Sequence, residues 1–113
     1  MAPMISSNIK RGSAELAILS VLAQGPMHGY EIAQSIERQT QGALRFTLAS
    51  LYPLLYRMES CGWLRASWSE TGAGRARRCY RLTAAGQRKL APLRKEWTEL
   101  FRALGRLAEA PYA

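Results

Sequence analysis

The sequence predicts a mainly α (α+β) domain: three helices, a two-stranded hairpin, and one further helix. Three observations carry this expectation. Leu51, Leu55 and Met58 recur at i, i+4 and i+7, which places them on one face of a helix. Beyond Gly62 the period changes to two, with Leu64, Ala66 and Trp68 on one side of a strand. Arg78, Tyr80 and Leu82 repeat that alternation after the Gly-rich stretch 71–75. Finally, Leu90, Leu93, Trp97, Leu100, Leu104 and Leu107 are spaced 3, 4, 3, 4, 3, the seam of helices packed side by side. The order helix, helix, helix, strand, strand, helix is that of a winged helix-turn-helix with a two-stranded wing and an added C-terminal helix.

Each element has its own signals. Residues 1–10 are rich in Met, Ser and Asn and are expected to form a flexible arm. The first helix should start at Gly12–Ser13, with Ser13 as its cap and Glu15 near its positive end. Leu16, Ile18, Leu19 and Leu22 supply its buried stripe, and Gly25–Pro26 ends it. A second helix is expected from about Gly29, carried by Ile32, Ala33 and Ile36 and fading by Gln41–Gly42. The third runs from about Thr47 to Cys61, and two starts are open. A Thr47 cap leaves Pro53 well inside the helix at the cost of a hydrogen bond, whereas a Ser50 cap puts Pro53 in the tolerated first turn. Gly62 stops this helix. Thr83 should cap the last one, with a kink or restart at Pro92. The expected division is thus an arm at 1–10, a winged-helix domain at 11–82 and a C-terminal dimerisation helix at 83–113.

The bulk composition narrows the partner. The chain has 113 residues, enough for one small core, and 48% hydrophobic residues, too many for a disordered chain. Its net charge is +8, with thirteen arginines to three lysines and no aspartate. A basic excess concentrated on one module favours a polyanion. The two cysteines, Cys61 and Cys79, form no CxxC pair and suggest no disulfide framework, which fits a reducing compartment. Lys10 and Arg11 precede the apolar run 16–23 as in a signal peptide, but Glu15 intervenes and no clean cleavage site follows. No stretch reaches the ~18 apolar residues of a membrane helix. A cytoplasmic location is expected.

Double-stranded DNA is the polyanion that the elements fit. The third helix carries Ser50, Pro53, Arg57 and Ser60 opposite its apolar stripe, a small, polar and basic face suited to the major groove, and Tyr56 borders it. Arg75, Arg77, Arg78 and Arg81 crowd the second arm of the hairpin, where they would repel one another without an anion. Lys10 and Arg11 are placed to touch the flanking backbone. The six-residue seam on the last helix should bury against a second copy of the chain or a partner's first helix, the alternative being that it folds back on its own domain.

Four blocks together resemble the PadR family of bacterial transcriptional regulators. They are GPMHGYEI at 25–32, SLYPLLYRME at 50–59, GWL at 62–64 and RRCYRLTAAG at 77–86. The resemblance spans roughly residues 11–101, and the length is similar to that of the short class with a single C-terminal dimerisation helix. It implies a homodimeric winged-helix repressor whose ligand binds between or near the subunits. Tyr52 resembles the family's Tyr-Pro tyrosine, with a hydroxyl for a phosphate or a ring packed on the second helix. Trp97 falls where a family tryptophan lines an inter-subunit pocket for flat hydrophobic effectors. Three positions depart from the pattern: Ala49 stands where glycine is common, Tyr56 where histidine is frequent, and Cys79 where tyrosine is usual.

Enzyme chemistry is excluded by inventory. There is no aspartate, one histidine, no nucleophile elbow, no phosphate loop and no working pair of carboxylates. His28 has no Cys/His cluster beside it, so it reads as structural; neither a metal nor a cofactor is expected. Two other readings stay open. A winged helix can dock a protein through its hairpin, although such a wing should be apolar or mixed. A non-specific DNA binder would share the charge but not the preference for a palindrome.

Overall fold

The computed structural model describes the backbone of residues 7–70 and 76–109 and the side chains of 13–68 and 77–109. The elements are α1 (Ser7–Leu22), β1 (Met27–His28), α2 (Gly29–Gln39), α3 (Leu48–Ser60), β2 (Leu64–Glu70), β3 (Ala76–Leu82) and α4 (Ala84–Glu109). This is the expected winged helix-turn-helix plus one helix, with a strand added. β1 lies antiparallel to β3 and completes a three-stranded sheet of order β1-β3-β2. At two residues it is too short to show periodicity, and it pairs only because the turn at Gly25 lays Met27 and His28 against Tyr80 and Cys79.

Helix α1 differs from expectation at its start. It begins at Ser7, so residues 7–10 of the expected arm are helical and Ser13 is buried within the helix instead of capping it. Gly12 costs only about 1 kcal/mol relative to alanine, too little by itself to stop the helix. Ala14, Ile18, Leu19, Val21 and Leu22 then anchor α1 in the core. There it meets Ile32 and Ile36 of α2, Leu51, Leu55 and Met58 of α3, and Leu64, Tyr80 and Leu90.

The two possible starts of α3 resolve in favour of Thr47. Its hydroxyl accepts the Ser50 N–H at 3.1 Å, which leaves Pro53 inside the helix, where its missing N–H leaves the Ala49 carbonyl without its helical donor. The far end closes with a left-handed Gly62 at φ 82°. The Trp63 N–H bonds back to the Met58 carbonyl and the Gly62 N–H to that of Glu59, each at 3.0 Å. This Schellman closure reverses the chain directly into β2.

Helix α4 starts as expected, with the Thr83 hydroxyl accepting the Gly86 N–H at 3.0 Å. Gly86 is required here: a Cβ on it would lie 2.2 Å from the Trp63 carbonyl oxygen. The helix then runs unbroken through Pro92 for 26 residues, about 39 Å at 1.5 Å per residue, without the expected restart. Its first turns belong to the domain. Leu90 is only 5% exposed and sits in the domain's own core, with Leu93 packed against it, so Leu90 is not available to an inter-subunit seam. Farther along, Leu100, Phe101, Leu104 and Leu107 are exposed apolar side chains, Phe101 at the rim of a groove formed with α1 and α2.

Candidate nucleic-acid interface

Burying Leu51, Leu55 and Met58 turns the opposite side of α3 outward. Ser50, Pro53, Tyr56, Arg57 and Ser60 are all exposed there, as the helical period requires. Ser50 is also tied into the cap, its hydroxyl donating to the Thr47 carbonyl at 2.9 Å. Leu48 and Ala49 extend the outward surface to the first turn. Between α3, the start of α2 and the wing lies an open cleft of about 600 Å³, walled by Tyr30, Tyr52, Tyr56, Trp68 and Arg77.

Tyr52 is half-buried, because its ring packs on the backbone at the start of α2. A Cβ at Gly29 would come within 2.6 Å of its hydroxyl oxygen, so Gly29 is what lets the tyrosine lie there. Tyr56 follows one turn later, its ring 5.9 Å from that of Tyr52 and inclined by 34°. His28, at the N-cap of α2, has a structural place, with its backbone N–H bonding the Glu31 carboxylate at 3.0 Å.

The arginines separate into different environments. Arg57 is 63% exposed and forms an ion pair with Glu15 of α1. Arg77 is exposed on β3 opposite Ser69. Arg78 is not the solvent-facing wing residue that the sequence suggests. Its Nη2 donates to both carboxylate oxygens of Glu59 at 2.8 Å, and its side chain is 33% exposed. The alternation of β3 explains this: Arg78 shares the inward face with Tyr80 and Leu82, whereas Arg77 and Arg81 point away. Arg81 faces Arg65 across the base of the wing. Arg75 and the side chains of Lys10 and Arg11 lie outside the described residues.

Beneath the cleft, Tyr80 is fully buried, and among the described residues its hydroxyl has no hydrogen-bond partner. Desolvation pushes its pKa up to about 12, against a smaller opposing pull from Arg78. Burial also raises the Cys79 thiol, with a further contribution from Glu31, while Cys61 is exposed at the end of α3. A raised thiol pKa disfavours the reactive thiolate. Among the described residues no group of three or more His, Cys or Glu is placed to hold a metal ion, and no helix is long and apolar enough to cross a membrane.

On α4, Trp97 is half-buried, and its ring lies 5.5 Å from Phe101. Phe101 was absent from the expected seam although it stands at i+4 from Trp97; the strict 3-4 spacing hid it. Glu59 and Glu15 were also missed as arginine partners. They are far from Arg78 and Arg57 in sequence, and only the folded chain brings them together.

Comparison with known proteins agrees with this architecture. Residues 18–92 match the model of the transcriptional regulator PadR-like family. The chain is 37% identical over 93 residues to the transcriptional regulator Rv3488 of Mycobacterium tuberculosis, covering 82% of this chain and 83% of that protein. Among solved structures, a PadR family transcriptional regulator from Eggerthella lenta aligns with TM-score 0.77 at 31% identity, over 92% of this chain and 88% of that one. A transcriptional regulator from Clostridium thermocellum aligns with TM-score 0.81 at 28% identity, over 91% and 97% of the two chains. With its winged helix-turn-helix and no enzymatic constellation in its sequence, the chain belongs to the PadR-like family of transcriptional regulators.

Proposed function

We propose that this chain is a sequence-specific DNA-binding repressor that acts as a homodimer and is released from its operator by a small planar hydrophobic effector. The observation that carries the DNA reading is the outward face of α3, small and polar around Ser50 and Pro53 and flanked by an arginine-bearing wing. In this reading α3 enters the major groove, with Ser50, Pro53 and Tyr56 nearest the base edges. Tyr52, Arg57, Arg75 and Arg77 hold phosphates, and Lys10 and Arg11 reach the flanking backbone. The exposed distal apolar side chains of α4 support pairing with a second copy, with Trp97, Leu100, Leu104 and Leu107 at the interface. Planar effectors then stack on Trp97 beside Phe101 and favour a subunit spacing that does not fit the operator. Loss of ligand-induced tryptophan quenching in Trp97→Ala tests that part.

The DNA reading is tested by gel shift with the sequence upstream of the chain's own reading frame, since such repressors commonly act there. Binding should need an inverted repeat with half-sites ~34–36 Å apart, and inserting half a turn between them should weaken it sharply. Between 50 and 200 mM salt a dimer making ~6–10 phosphate contacts should lose about 10³–10⁵ in affinity. Equal binding to the shifted site marks a non-specific DNA binder, and a flat salt response marks a protein-interaction module.

A further inference from the structure

We propose that Glu59 and Arg78 form a positioning pair for Tyr56, that Tyr56 is a specificity-determining residue of α3, and that Arg78 is not a phosphate ligand. The inference rests on the DNA reading above and adds to it which residue reads sequence and which hold it.

Arg78 is occupied on three sides. Its Nη2 is 2.8 Å from each oxygen of Glu59, and its Cζ lies 5.4 Å from the Tyr56 ring centroid and 5.7 Å from that of Tyr80. To reach a phosphate it must give up two charge-assisted hydrogen bonds and two cation–π contacts. It must also abandon the Glu59 carboxylate, only 29% exposed, without its counter-ion. Arg57 differs in its own setting: its side chain is 63% exposed and, among the described residues, no ring stacks on it, although its partner Glu15 is only 24% exposed. On reaching a phosphate Arg57 therefore gives up an ion pair but no stacked ring, which is where it differs from Arg78.

Tyr56 is what the pair restrains. Arg78 lies over its ring, and Tyr52, lodged against Gly29, limits it from the preceding turn of α3. Contacts therefore run without a gap from the start of α2 through Tyr52, Tyr56 and Arg78 to Glu59 near the end of α3. Even so, Tyr56 remains 48% exposed on the outward side of the helix, and Pro53 one turn before it is too small to cover it. A side chain fixed on two sides and open on the rest loses little rotamer entropy when it docks. Its ring edge offers an apolar contact for a thymine methyl, and its hydroxyl both donates and accepts toward a base edge.

The test is to measure affinities against an operator library randomised one base pair at a time, at several salt concentrations. It uses the full-length wild type, Tyr56→Ala, Glu59→Gln, Arg78→Gln and Arg78→Lys. Positioning predicts that Tyr56→Ala flattens the preference at one or two base pairs per half-site, by roughly tenfold against the mismatched base. Glu59→Gln and both Arg78 variants should flatten the same base pairs, with the slope of log affinity against log salt unchanged. Arg78→Lys separates the roles: lysine keeps the charge a phosphate needs but not the planar group that stacks on a ring. The proposal is overturned if Arg78→Gln lowers the salt slope by about 1.8 with preferences intact, the mark of one lost phosphate contact in each of the two subunits. It is equally overturned if Arg78→Lys restores full preference, or if Tyr56→Ala leaves every preference as it was. Tyr56 is a surface residue outside the core, so that last variant decides the matter even if the Glu59 variant fails to fold. A wild-type chain with no base preference anywhere instead fails the DNA reading itself, a result none of the variants can mimic.

Discussion

At the scale of the residue, one face of β3 holds Arg78, paired to Glu59 of α3, beside the fully buried ring of Tyr80. Leu51, Leu55, Met58 and Tyr80 lie inside because a period of 3.6 or 2 fixes the inward face from local geometry alone. Arg78 shared that inward period with Tyr80, but a cluster of four arginines read as one cationic surface, because the carboxylate that receives Arg78 stands on α3. Tyr80 was legible as core, yet nothing in the sequence shows that its hydroxyl lacks a partner among the described residues. That hydroxyl makes stability depend on alkaline pH. The folded chain holds the Tyr80 proton up to about 12, against an ordinary value of 10.0, while the unfolded chain releases it earlier. The Tyr80 contribution is therefore fully present below pH 10 and is lost as the pH rises toward 12. Tyr80→Phe removes the ionisable group and keeps the ring. Urea unfolding should find it within about 1 kcal/mol of wild type at pH 7, because no hydrogen bond is lost, and less weakened than wild type between pH 10 and 12. A variant that loses stability with pH as steeply as wild type would show that other groups govern the alkaline limit.

Elements were legible in kind and in order, and less so at their ends. α2, α3 and the hairpin arms follow from periodicity and from stop signals such as Gly62 and Thr83, whose geometry is local. Two of the errors share a cause, a local preference overruled by tertiary contacts. Ser13 is a separate case: it looks like a cap, but the helix starts at Ser7 and Ser13 lies buried within it. β1 exists only by pairing with β3, which lies about fifty residues away in the sequence. Pro92 should interrupt a helix, yet α4 continues because Leu90 and Leu93 bind its near half to the core and the exposed ring costs one hydrogen bond, to the Arg88 carbonyl. Pro92→Ala supplies that donor and relieves the ring's clash with the preceding turn. It should stabilise the chain by roughly 1–3 kcal/mol, less than or equal to the full interior penalty. In thermal unfolding followed by circular dichroism each of those kcal/mol should appear as a rise of about 4–8 °C. An unchanged or lower midpoint would mean that the proline ring costs the helix nothing at this position.

For the molecule as a whole, the division of α4 into a buried near half and a projecting far half carries the argument for a second subunit. The chain extends 63 × 33 × 21 Å, a long shape for its size. The repeat that runs evenly from Leu90 to Leu107 conceals a change from buried to exposed. Leu90 completes the domain's own core, whereas Leu100, Phe101 and Leu104 are about half exposed and Leu107 is 75% exposed. Spacing alone cannot mark that change, since both ends of one apolar stripe look alike until the length of the domain beneath it is known. Four large apolar side chains along one projecting helix form a patch of the kind monomers avoid, and a two-fold axis through it would set two α3 helices side by side. The two halves should then respond differently to the same chemistry. Leu104→Glu places a charge in the exposed stripe, so it should give a folded monomer in analytical ultracentrifugation, with helix content retained and binding to an inverted repeat reduced to that of a single half-site. Leu90→Glu buries an unpaired carboxylate in the core and should unfold the domain, as burying an isolated charge is among the most destabilising single changes. A Leu104→Glu chain that still sediments as a dimer would remove the distal half of α4 from the interface and return the search to the groove where α1 and α2 meet Phe101.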